Sequence, residues 1–167
     1  MSTRDLSTAS TTIRTDDADM FMERLFDAPR ELVWKAFTEP QHVVNWWGPR
    51  GTTTTVVEMD VRPGGTWRFI NHGADGGDAP FKGEYLEIVA PERLVQTFVY
   101  DVEGFADQAV VETLTFEDLG GKTRLTQRSR FPSVDALEGA LASGMTGGAV
   151  ETLDRLDEVL AALKGQS

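Results

Sequence analysis

Hydrophobic and polar positions change their rhythm twice along this chain. The string "MFMERLF" from Met20 reads as a strand, and Asp27-Ala28-Pro29 ends it, because proline fixes its own backbone and disfavours helix just before it. In "PRELVWKAFTEP" the apolar Leu32, Val33, Ala36 and Phe37 recur at three- and four-residue spacing, which predicts a helix that Pro29 opens and Pro40 closes. Trp34 stands beside that stripe. "PQHVVNWW" gives one more short helical turn, stopped by Gly48-Pro49.

Beyond Pro49 the rhythm becomes alternating, with turn signals at strand-length intervals. "TTVVEMDV" sets Val57, Met59 and Val61 against Glu58 and Asp60; "PGG" at 63–65 is a tight reversal, and "TWRFIN" brings Trp67 and Phe69 to one face. The glycine-rich "HGADGGDA" leads into "PFKGEYLEIV", and "RLVQTFVY" returns. "AVVETLTFE" places Val110, Glu112, Leu114 and Phe116 on one side, "DLGGK" turns, and "TRLTQRSRF" puts Leu125, Gln127 and Ser129 on one side. These make six strands in an antiparallel meander.

Helical rhythm resumes at Ser133, a good cap, with Asp135 in the first turn, and Gly144 and Gly147-Gly148 are expected to interrupt it. Ala149, Leu153, Leu156, Leu160 and Leu163 then form a single apolar stripe made to lie on a sheet. The order β-α-α-β6-α defines an α+β domain whose curved antiparallel sheet wraps the final helix. Residues 13–165 are read as one domain, and the Ser-, Thr- and Asp-rich residues 1–12 as a flexible lead-in.

Composition narrows the partners. Sixteen Lys and Arg against 27 Asp and Glu give a net charge of −11 spread along the chain, which repels phosphate backbones and anionic headgroups. Nucleic acid is therefore not expected, nor is membrane insertion, since no run reaches the roughly 18 apolar residues a span needs. The absence of cysteine removes disulfides, thiol catalysis and zinc-thiolate sites, and fits a cytoplasmic location.

Candidate chemistry is sparse. His42 and His72 lack a second histidine at ligand spacing, so neither a metal nor another cofactor is expected, and His72, Asp75 and Asp78 read as solvated turn residues. "GADGG" and "PGG" are hairpin turns, because no helix opens after either. The tryptophan pair in "NWWGPRG" is more informative. Neighbours on a helical turn differ by about 100°, so one indole can enter the cavity while the other covers its rim or the first helix, and Trp47 is the one assigned inward. On the sheet, Trp67, Phe69, Phe81, Tyr85, Phe98 and Tyr100 alternate along a concave face. Gln96, Glu112 and Gln127 share that alternation, and buried amides and carboxylates need water, each other or a ligand. Arg128 falls on the opposite face unless a bulge shifts it toward Glu112.

The strings "FDAPRELVWKAFTEPQHVVNWWGP", "EMDVRPGGTWRF", "FKGEYLEIVAPERLVQTF", "TLTFEDLGGKTRLTQ" and "GMTGGAVETLDRLDEVL", in this order and spacing, resemble the START-related (SRPBCC) superfamily. Within it they resemble the branch named for the activator of the ninety-kilodalton heat-shock chaperone's ATPase, from about Met20 to Leu163. The resemblance implies a helix-grip domain with a mostly apolar cavity between sheet and long helix. The superfamily includes lipid and hormone carriers, polyketide cyclases and many small proteins of unassigned role, and membership does not select among them. Gly148-Ala149 stands where many relatives carry tryptophan, which implies a roomier cavity. The eukaryotic chaperone activator has an additional amino-terminal domain with no counterpart in this sequence, so a chaperone partner is kept only as an alternative, and a homodimer is left open.

The reading that follows is a binder of a small hydrophobic or amphipathic molecule. Trp47, Trp67, Phe69, Phe81, Tyr85, Phe98 and Tyr100 are its expected aromatic lining; Leu114, Met145 and Leu153 add hydrocarbon, while Glu112 and Gln127 orient the ligand's polar end. The enzymatic alternative is a cyclase or hydrolase of the same superfamily with Glu112 or Tyr85 as proton carrier.

Overall fold

The computed structural model describes residues 3–165. Nine antiparallel strands form one curved, unclosed sheet in the order β1-β2-β3-β9-β8-β7-β6-β5-β4. The expected strand at Met20 is β3 (Asp19–Phe26), and it lies beside β9 (Thr123–Arg130). The six-strand meander is β4 (Thr53–Met59), β5 (Thr66–His72), β6 (Asp78–Val89), β7 (Arg93–Tyr100), β8 (Val110–Asp118) and β9. Between β3 and β4 stand α1 (Arg30–Thr38) and the single turn α2 (Pro40–Val43). After β9 come α3 (Val134–Ala142) and α4 (Met145–Lys164).

Two features correct the sequence reading. In place of a flexible lead-in over residues 1–12, β1 (Thr3–Asp5) pairs with β2 (Thr12–Asp16), which in turn pairs with β3; Met1 and Ser2 lie outside the described residues. The inward positions Thr11, Ile13 and Thr15 are all buried, but two of the three are hydroxyl side chains, so the alternation lacks the hydrocarbon contrast by which strands are recognised. The carboxyl-terminal helix is also two helices. Gly144 takes φ +88°, a left-handed conformation that glycine adopts without strain, and it separates α3 from α4. Gly147 and Gly148 do not interrupt the helix but lie inside α4. Ser133 caps α3 as expected, its Oγ accepting the Ala136 N–H at 3.0 Å.

The main core lies between the sheet's concave face and the helices. Leu156 and Leu160 of α4, Val33 and Ala36 of α1, and Phe26, Leu94, Leu114, Phe116 and Leu125 of the sheet are at most 2% exposed. Each large aliphatic among them contributes roughly 1.5–3 kcal/mol of transfer free energy. A second, smaller cluster joins Ile13, Met20, Met22, Val110, Phe131 and Leu137, with Met145, Ala149 and Val150 packed against it. Phe98 packs against both clusters, so it bridges the two halves of the interior.

Candidate functional site

The turn after α2 sends the two adjacent indoles in different directions. Trp46 is 3% exposed; its Nε1 donates to the Ala36 carbonyl at 3.0 Å and its ring meets Phe37 edge-on at 4.8 Å. Trp47 is only partly buried and turns onto the sheet, with ring centroids 5.2 Å from Phe69, 5.2 Å from Phe81, 6.4 Å from Trp67 and 6.5 Å from Phe98. The segment carrying it is tied at its backbone. Thr54 Oγ1 donates to the Trp47 carbonyl at 2.6 Å, and Arg155 Nη1 of α4 donates to the Gly48 and Pro49 carbonyls at 2.9 and 3.0 Å. Gly48 has φ +106°, and a Cβ there would stand 2.3 Å from Asn71 Nδ2, so both conformation and space require glycine.

The aromatics of the sheet form one continuous layer. Phe69 is registered opposite Phe81, and Phe81 opposite Tyr100, whose ring stacks on it at 5.2 Å. Tyr100 continues to Phe105 at 5.6 Å; they are 38% and 50% exposed, so this end of the layer reaches solvent. Trp67 lies opposite Gly83, where a Cβ would meet its Nε1 at 2.4 Å and the Thr97 carbonyl at 1.9 Å. That Nε1 is buried without a hydrogen-bond acceptor.

Beside this layer runs a polar row. Register places Thr15, Met20, Ser129, Glu112, Gln96 and Tyr85 side by side across six strands. Gln96 Nε2 donates to Glu112 Oε1 at 3.0 Å, and Gln127 Nε2 donates to Glu112 Oε2 at 3.1 Å and to Ser129 Oγ at 3.2 Å. The three polar side chains singled out by alternation thus satisfy one another in part. Burial pushes the Glu112 carboxyl up to about 7, and the Gln96 N–H bond only partly offsets that. Burial also raises the Tyr85 phenol well above its ordinary range, assisted by Asp60, so its hydroxyl is neutral. No bulge interrupts the β8–β9 register, and Arg128 binds Asp19 on the outer face at 2.8 Å, away from Glu112.

Six of the expected lining residues, Trp47, Trp67, Phe69, Phe81, Phe98 and Tyr100, therefore share one layer, while Tyr85, Leu114 and Leu153 belong to the main core around it. Met145 is set apart, packed against the second cluster. Between sheet and helix, Gln96, Phe98, Glu112 and Gln127 of the sheet and Met145 and Ala149 of α4 all keep partial exposure. Trp47 occupies the space over the aromatics, and the gap under Leu153, bounded by Met22, Arg24, Leu125 and Gln127, has no room for a water molecule. A groove of about 330 Å³ does open between α2 and α4, lined by His42, Asn45, Arg155, Glu158 and Val159 among others.

Two important residues escaped the sequence reading. Arg24 sits among hydrophobes on the concave face at 6% exposure, held by Asp154 at 2.7 Å and Asp157 at 3.6 Å. Its inward position between Met22 and Phe26 on one alternation was the available signal. Arg155 flanks the apolar stripe of α4, and nothing in its spacing announces the carbonyls it binds. His72 joins Asp78 Oδ1 and Thr55 Oγ1, each at 2.8 Å. Among the described residues no group of three or more His, Asp or Glu is arranged to hold a metal. Nor is any described helix long and apolar enough to cross a membrane.

A curved antiparallel sheet gripping a terminal helix around an aromatic interior defines an α+β helix-grip protein of the SRPBCC type. The chain belongs to the family described as activator of Hsp90 ATPase homolog 1-like protein, which it matches over residues 27–161. A solution structure of a protein from Arthrobacter aurescens is similar at 26% identity and TM-score 0.84, covering 93% of each chain. A crystal structure from Mycobacterium smegmatis is 26% identical at TM-score 0.78, covering 89% of this chain and 96% of the other. The protein of Silicibacter pomeroyi named for the same family shares the fold at 19% identity and TM-score 0.73, with 87% and 99% covered. No curated protein matches the chain.

Proposed function

We propose that this protein binds a small apolar or amphipathic molecule in the cytoplasm, inside the helix grip, and that the Trp47 indole holds the ligand's place in the empty protein. One observation carries this reading. The interior over the sheet aromatics is filled by a side chain that comes from a turn, is partly exposed, and has ring neighbours but no hydrogen bond at its own ring. Swinging that indole outward leaves Trp67, Phe69, Phe81 and Phe98 as walls, with Tyr100 and Phe105 at the solvent end. Covering such walls is worth roughly 25 cal/mol per Å², less the cost of displacing Trp47.

Removing the plug is the direct test. Trp47→Ala is expected to bind an uncharged anilinonaphthalene dye at least about tenfold more tightly than the wild type, because the competent state no longer has to be paid for by moving the indole. Dye emission read by titration measures it. If neither protein takes up the dye, the reading fails.

The raised Glu112 carboxyl supports a second reading, a proton-transferring enzyme of the same superfamily, since a group near 7 suits acid–base work. Glu112→Gln discriminates: turnover of a carbonyl compound lost with binding intact would favour catalysis. Nothing comparable favours a chaperone-docking surface, because Trp46 is buried against α1.

A further inference from the structure

We propose that the ligand of this interior carries a hydrogen-bond donor at its polar end, and best a protonated amine, because the group waiting for it is the Glu112 carboxylate. This rests on the interior-binding reading and specifies its chemistry. An ionised carboxylate offers about four lone-pair positions, and Gln96 and Gln127 fill one on each oxygen. While the carboxyl is ionised, only a donor can fill the rest. A ligand carboxylate or phosphate would meet like charge at Glu112.

The surroundings point the same way. The buried cation on this face, Arg24, is already bound by Asp154 and Asp157 and also donates to Thr11 Oγ1 at 3.2 Å. Arg128 and Arg130 serve Asp19 on the outer face. Tyr85, next but one to Glu112 in the polar row, is neutral. From α4, Met145 and Ala149 pack against the cluster of Val110, and Leu153 shares the main core with Leu114, the inward neighbours of Glu112 along β8; none of the three is titratable. The protein's charge of −11 adds a field that concentrates cations.

The position also suits an amphipathic molecule. Phe98 packs against both the Trp47 aromatics and the cluster of Val110, and Gln96 is two residues along the same strand. Strands lie about 4.8 Å apart and residues two apart on a strand about 6.6 Å apart. Glu112 thus stands about 8 Å diagonally from Phe98, so a ligand whose apolar body takes the place of the Trp47 ring against Phe98 needs a tail of that length to reach the carboxylate. In α4, Gly147 and Gly148 face no atom within 4 Å of an added Cβ, so the helix does not crowd in at that turn.

The test displaces the anilinonaphthalene dye with decylamine, decanol and decanoate, which share one chain length and differ in the head. At about pH 8, with Glu112 ionised, the wild type is expected to rank amine over alcohol over carboxylate, the amine about tenfold ahead of the alcohol. Glu112→Gln should erase the amine's advantage and leave decanol within about threefold. A wild-type titration provides a check that needs no variant: the amine's lead should fade as pH drops below about 7 and the carboxyl takes up its proton. An amine lead that survives in Glu112→Gln, or a decanoate that binds as well as decylamine, overturns the inference while leaving interior binding intact. Failure of all three to displace bound dye overturns it as well, by moving the dye site out of the interior. Failure of the dye itself to bind sinks the interior reading.

Discussion

Trp46 and Trp47 anchor two aromatic regions of similar make-up and different standing. Around Trp46, the rings of Phe37, Trp34 and Phe116 meet edge-on at 4.8–5.3 Å, and the indole N–H is spent on a helix carbonyl. Around Trp47, more rings meet, at 4.7–6.5 Å, the indole itself makes no hydrogen bond, and the layer runs out to solvent through Tyr100 and Phe105. The lesson is that aromatic content does not separate a fixed core from an exchangeable filling. What separates them is whether the polar edge of the ring is tied to a rigid element, and whether the ring is reached from solvent.

The largest expected effect is the gap between the two tryptophans. Trp46→Ala should cost about 3–5 kcal/mol in urea unfolding, from lost burial and a freed carbonyl. Trp47→Ala should cost clearly less, about 1–2 kcal/mol, since its ring is partly exposed. Equal losses would make Trp47 an ordinary core residue. Next, Gly83→Ala should cost about 3 kcal/mol in the same assay, because the new methyl collides with the Thr97 carbonyl and the Trp67 indole. A neutral outcome would show that the aromatic layer slides freely over β6.

The pH dependence of stability is smaller and has a definite sign. Glu112 is raised from 4.5 to about 7 on folding, so between those values the folded state holds a proton that the unfolded state has lost. Its contribution is present in full below about pH 4.5 and is lost as pH rises through about 7, roughly 1–3 kcal/mol in all. The urea midpoint of the wild type should therefore fall from acid to neutral pH more than that of Glu112→Gln. Parallel curves would place the carboxylate in better solvation than its hydrogen bonds suggest. The smallest effect concerns the tie on the Trp47 segment. Arg155→Ala should cost about 1 kcal/mol yet speed hydrogen exchange at residues 45–50 selectively, by freeing the Gly48 and Pro49 carbonyls.

The alternation of Trp67 with Phe69 and of Glu112 with Leu114 was legible because a strand puts every second side chain on one face whatever it packs against. The same rule put Gln96, Glu112 and Gln127 on one alternation with water, each other or a ligand as possible partners, and in the structure both glutamines donate to Glu112. It failed at Thr11–Thr15, where inward hydroxyls replaced hydrocarbon, and at Arg24, whose charge hid an inward position. That the two indoles diverge followed from the hundred-degree step between helical neighbours. Which of them lies over the sheet aromatics did not.

The sequence by itself therefore determined the elements from β3 to β9, their faces and the antiparallel meander, because these depend on periodicities of two and 3.6 and on local turn chemistry. The tertiary structure alone decided that Arg155 ties down the turn of Trp47 and that Asp154 and Asp157 neutralise Arg24. Those outcomes depend on distances between residues 100 or more positions apart, which no local pattern encodes.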